Sequence, residues 1–183
     1  MQAPTHLATG ILIQKGLSKA RPPSLRYLLI VILALLSHGI LDRLARFTYH
    51  PPTPLIYDWF WVSYHSIVAL LTIYIFLRFW RGYKLGLIFS VLPDLDWIVL
   101  HSSDLVSVQV PFWREPILHK FLFGFLDLVC PFTFLDTLPN WNLKREGIIL
   151  ELVLLAVLVT SIYATERGRK LALGRAKGET DEI

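Results

Sequence analysis

In the stretch "SHGILD", His38 and Asp42 stand four residues apart. That is one helical turn, so an imidazole and a carboxylate on one helix face both reach a single ion. "EPILHK" repeats the spacing with Glu115 and His119, with Pro116 between them. "VLPDLDWIVLH" sets Asp94 and Asp96 behind Pro93, with His101 seven residues beyond Asp94. Seven residues return to nearly the same helix face, offset by about 20°. Two residues do not, so Asp94 and Asp96 point together only if Pro93 kinks the chain. His6 follows Thr5 near the start.

Imidazoles mixed with carboxylates are the ligands of zinc, manganese and non-haem iron, and hydrolytic sites of this kind often hold two ions. The candidate ligands are His6, His38, Asp42, Asp94, Asp96, His101 and His119, with Asp96 and His101 either ligands or supports behind them. The expected cofactor is one or two divalent ions, zinc first, with manganese or iron as alternatives. A carboxylate left unligated, Asp96 or Glu115, is the candidate general base. His50 and His65 read as packing or helix–helix hydrogen bonds, and Asp127 and Asp136 as interfacial caps.

These groups must be held by an unusually apolar chain. Of 183 residues, 54% are hydrophobic and 17% charged, against about a quarter charged in soluble domains. Apolar runs recur at 27–36, 55–77, 85–100, 117–135 and 148–164, and a membrane span needs roughly 20 such residues. The runs are continuous and do not alternate, which argues against a β-barrel. The expected class is therefore all-α: a polytopic helical membrane protein with about four to five transmembrane helices. Thr5 is positioned to N-cap a short helix reaching Leu17. The spans fall near 26–46, 57–80, 84 onward with a kink at Pro93, and 146–165. Residues 117–135, broken by Pro131 and carrying His119 and Asp127, read as a re-entrant or interfacial helix. Residues 1–166 form one helical membrane domain, and 167–183 a charged cytoplasmic tail.

Other classes lose support. The first 17 residues lack the basic start and small-residue cleavage site of a signal peptide. The single Cys130 rules out an internal disulfide and a cysteine zinc cage. The net charge of +4 is topology-setting lysine and arginine beside spans, and no nucleic acid is expected as a partner. "YDWFW" reads as an interfacial aromatic belt. Lys15, Lys19, Arg21, Arg26, Arg78, Arg81, Lys84 and the basic tail fall on one side; the fewer Arg43, Arg46, Arg114, Lys120, Lys144 and Arg145 fall on the other. The richer side is cytoplasmic by the positive-inside rule. All six histidines then converge on the opposite, extracytoplasmic end of a multi-pass protein of the cell or inner membrane. Several ionisable groups gathered at a membrane are costly, ~2.5–3.5 kcal/mol each on insertion scales, and mark function by default.

With "THLATG", "PDLD" and "HGILD", together with "ILHKFL", the chain resembles the YdjM-like family of small inner-membrane metal-dependent hydrolases, which bears a remote likeness to zinc-dependent phospholipase C. Here "HGILD" precedes "PDLD", the reverse of the family's usual order, and Trp97 stands where a further histidine is common. The resemblance implies metal-dependent hydrolysis of an ester or phosphoester. A site at span ends implies an amphiphilic or lipid-linked substrate drawn from membrane lipid. The alternatives are a divalent-cation or proton transporter, whose ligands belong near the bilayer midplane, and a non-enzymatic scaffold. No serine-hydrolase elbow, His-Glu-x-x-His or P-loop is present.

Overall fold

A computed structural model describes residues 1–51, 55–106, 111, 113–129 and 133–180. Cys130, the Pro131 break, most of the "PPTP" loop and part of the 102–116 connection lie outside the described residues, as does the Asp136 side chain. The described chain is all-helical: α1 (Ala3–Gly16), α2 (Pro23–Leu44), α3 (Trp59–Val91), α4 (Leu95–Val106), α5 (Ile117–Val129) and α6 (Gly147–Thr180). Three stretches are long and apolar enough to cross a membrane: Pro23–Phe47, Trp59–His101 and Gly147–Arg167.

Helix α1 is the centre of the bundle. Its apolar residues surround it instead of forming a stripe, as befits a helix buried on all sides. Leu7, Ala8 and Ile11 are fully buried against Ile75, Phe79, Leu87 and Ile162. At 14 residues it is about 21 Å long, too short to span, and its neighbours shield it from lipid. The expected Thr5 cap is corrected. The N-cap is Gln2, with no side-chain capping bond, and Pro4 sits in the first turn. Proline is pre-set for that position, so the helix starts earlier and Thr5 lies inside it.

Helix α3 covers what the sequence divides into two spans, and it reverses at Tyr83, whose φ of −135° and ψ of 36° leave the helical region. Its two arms both lie along α1. Tyr64 reaches Glu151, which also bonds Thr5, and Ser90 packs against Gly10. A straight helix would hold Tyr64 and Ser90 about 39 Å apart, while Thr5 and Gly10 are separated by about 7.5 Å. The return arm presents Gly86 and Ser90, four residues apart, to Gly10 of α1, and Gly86 also lies against Gln14. Small residues at that spacing let backbones approach closely. The Gly86 N–H donates to Gln14 Oε1 at 2.8 Å, and Gln14 Nε2 donates to the Gly82 carbonyl at 3.2 Å. Gln14 thereby satisfies backbone groups that the reversal strips from the helix ladder.

At Pro93 the chain tightens into a 3-10 turn, Leu92–Asp94, before α4 begins. The region expected to be re-entrant or interfacial forms the 13-residue α5, too short to span. Its Leu122 and Leu126 are buried while Phe121, Phe125 and Leu128 are exposed. Helix α6 continues through the segment read as tail, to Thr180.

The Gly10–Gly86 contact yields a prediction. A Cβ at Gly10 would lie 2.2 Å from the Gly86 carbonyl oxygen, whereas one at Gly16 meets nothing within 4 Å. Gly10→Ala should destabilise the protein by about 1–3 kcal/mol and lower its thermal midpoint in detergent, with Gly16→Ala as the neutral control.

Candidate metal centre

The end of α2, the Pro93 turn and the starts of α1 and α5 meet at one end of the bundle. His38 and Asp42 share a face of α2, with His38 Nε2 3.1 Å from Asp42 Oδ2. Gly39 lets α5 close over them, because a Cβ there would lie 2.5 Å from Leu126 Cδ1. That approach brings His119 Nε2 to 3.1 Å from Asp42 Oδ2 and 3.2 Å from His38 Nε2. From α1, His6 stacks on His38 with ring centroids 4.0 Å apart and sets Nε2 3.1 Å from Asp42 Oδ1. Asp94 adds Oδ1 3.7 Å from His38 Nε2. The Met1 amino group also lies 2.9 Å from Asp42 Oδ1.

Two of the rings are locked by their far nitrogens. His38 Nδ1 is 2.7 Å from the Ser90 carbonyl, which only accepts, so Nδ1 carries the hydrogen. Ser90 is one residue from the end of α3, where carbonyls have no helical partner. His119 Nδ1 donates to Asp96 Oδ2 at 3.0 Å. The His119 backbone N–H donates to the same oxygen at 2.8 Å, and Trp113 Nε1 donates to Asp96 Oδ1 at 2.8 Å. Imidazole N–H donated to a carbonyl or carboxylate is the usual support of a metal-ligating histidine. Both Nε2 atoms therefore present lone pairs toward each other and toward Asp42, an arrangement that can hold a cation between them.

His6 differs. Its Nε2 faces two acceptors, Asp42 Oδ1 and the Met1 carbonyl at 3.2 Å, so Nε2 carries the hydrogen. Its buried Nδ1 has no partner. Ligation through Nε2 shifts that hydrogen to Nδ1. Burial pulls the His6 imidazole down to about 4, against the opposing hydrogen bond from Asp42. Burial also lowers His119, but the hydrogen bonds to Asp42 and Asp96 outweigh it and leave that pKa raised. His6 is thus neutral, as a ligand must be.

His6, His38, Asp42, Asp94 and His119 form a cluster that can hold a metal ion, as two overlapping sets sharing His38: His6 with His38 and Asp42, and His38 with Asp94 and His119. The histidines are buried, and the carboxylates open outward, with Asp42 and Asp94 side chains 16% and 30% exposed. Asp96 lies behind His119, fully buried. His101 and Glu115 are not brought in. His101 is exposed and stacks on Trp97 at 6.1 Å, and Glu115 pairs with Lys120 on the surface. His50 contacts Gln2, and His65 stacks on Trp61. Asp127, read as an interfacial cap, pairs with Arg43. Sequence reasoning missed Ser90 and Trp113, which act through a carbonyl and an indole N–H and leave no spacing signal. It also missed Glu151, a lone acid inside an apolar run, which is a signal in itself. The chain matches no family model, no curated protein and no solved structure.

Two sets of variants test the cluster. His38→Ala and Asp42→Ala should each abolish metal binding in folded protein by elemental analysis, while His101→Ala and Glu115→Ala retain it. Asp96→Asn should leave the ligands in place and weaken affinity about 10–100-fold, the usual cost of losing an orienting partner; an unchanged affinity would show that His119 needs no support.

Proposed function

We propose that the chain is a membrane-bound, metal-dependent hydrolase acting on an ester or phosphoester of a lipid-like substrate at the membrane interface. The observation that carries this reading is the facing pair His38 Nε2 and His119 Nε2, 3.2 Å apart, each with its other nitrogen committed to an acceptor. A divalent ion would be held by His38, His119 and Asp42, with His6 beside them, and would supply Lewis-acid polarisation of a phosphoryl or carbonyl oxygen and make water a stronger acid. Histidine and carboxylate donors without sulfur suit zinc, manganese or iron.

The protein's own groups do the rest. Ser90 and Asp96 fix the rings. The exposed edges of Asp42 and Asp94 give the only polar opening among the cluster residues, so substrate enters on the carboxylate side. Asp94, least engaged by hydrogen bonds, is placed to take a proton from water. The assignment of the general base thereby moves from Asp96, whose oxygens are held by His119 and Trp113, and from the distant Glu115. The exposed Phe121, Phe125 and Leu128 of α5 offer a lipid-facing surface directly over the helix that carries His119, which suits an amphiphilic substrate.

The reversal at Tyr83 supports four passes: 23–47, 59–82, 84–101 and 147–167, with α1 and α5 as shorter internal and interfacial helices. The distribution of basic residues supports an extracytoplasmic site. The likeness of "HGILD" and "PDLD" to the YdjM-like hydrolases belongs to the same proposal.

Purified protein in mixed micelles should release product from lipid phosphoesters or esters. Chelation should reduce the rate by at least about tenfold, and added zinc or manganese should restore it. Asp94→Asn should lower kcat while retaining metal. Metal flux in proteoliposomes with no hydrolysis would contradict the enzyme reading in favour of a transporter.

A further inference from the structure

Glu151 is a carboxylate within the apolar span of α6, only 4% exposed, and the metal centre does not use it. Its Oε1 accepts the Gln2 backbone N–H at 2.6 Å and the Thr5 hydroxyl at 3.3 Å, while Oε2 accepts the Tyr64 hydroxyl at 3.4 Å. One side chain thus ties α1, α3 and α6 together. A charged group inside a span is costly, and an apolar residue would pack there more cheaply.

The gain lies one residue past Thr5. The N-terminal N–H groups of a helix need partners, and α1 has no side-chain cap of its own. Glu151 supplies the acceptor from another helix and places its charge at the positive end of the α1 dipole. His6 depends on this because, unlike His38 and His119, its far ring nitrogen has no orienting partner. Its ring is positioned by its helix, by the stack on His38 and by the Nε2 contacts to Asp42 and the Met1 carbonyl.

We infer that Glu151 is the positioning residue for His6, clamping the start of α1 so that this imidazole stands at Asp42; the inference rests on the metal-centre reading. Its loss lets the first turn of α1 drift while the remaining ligands stay supported.

The test combines Glu151→Leu and Glu151→Gln with His6→Ala. Hydrogen exchange over residues 2–6 reads the clamp directly, and zinc affinity and the visible spectrum of the cobalt-substituted protein read its consequence. Glu151→Leu should speed exchange at 2–6, weaken zinc about 10–100-fold and give a cobalt spectrum matching His6→Ala. In the His6→Ala background it should change affinity less than about twofold, because distant effects add but effects passing through one residue do not. Glu151→Gln keeps an acceptor oxygen and should retain most of the affinity, which covers the case in which Glu151→Leu fails to fold. Equal losses in both backgrounds, or unchanged exchange at 2–6, would overturn the assignment. Absence of metal uptake by the wild-type chain would overturn the metal reading, and exchange would then decide the clamp alone.

Discussion

Two imidazole nitrogens facing each other across 3.2 Å are the constraint around which the molecule is organised. If each ring could turn, the lone pairs would part. They cannot, because His38 is held by the Ser90 carbonyl and His119 by Asp96, and the third approach is closed by His6 stacked on His38. Neutral rings in that position repel, and a cation between them removes the conflict. The Asp42 carboxylate, 3.1 Å from His119 Nε2, adds negative charge at the same point.

The fold reads as the means of building that point in an apolar setting. Helix α1 is too short to span and too apolar to lie at a surface, so it occupies the space between the two arms of α3. Gly86 and Ser90 of the return arm admit it against Gly10, and the reversal at Tyr83 is stitched by Gln14. The same return arm carries Ser90 one residue from its end, and the Ser90 carbonyl orients His38. Gly39 performs the equivalent service for α5 and His119. Close backbone approach, more than any large apolar core, decides where the ligands stand, as expected where lipid removes much of the hydrophobic drive for helices to associate.

Much of this was legible in the chain. Helical spans followed from continuous apolar runs, and His38–Asp42 followed from four-residue spacing because α2 is an unbroken helix. The pairing of Asp94 with His101 assumed the same regularity. The 3-10 turn at Leu92–Asp94 instead sets Asp94 outside α4 and leaves His101 on an exposed face. Glu115 and His119 failed to pair because Glu115 precedes α5 and turns to Lys120. Thr5 looked like a cap because threonine favours that role, yet Pro4 starts the helix before it and the capping oxygen comes from Glu151, far away in sequence. Contacts of that range, and a supporting carbonyl such as that of Ser90, carry no local pattern from which to read them.

In the proposed centre His38 and His119 ligate one divalent ion. X-ray absorption on the zinc-loaded protein tests it most directly. The expected result is a shell of nitrogen and oxygen neighbours at about 2.0–2.2 Å, outer scattering from at least two imidazoles, and loss of one imidazole contribution in His119→Ala. A protein that retains no zinc, or a bound ion without imidazole scattering, would contradict it.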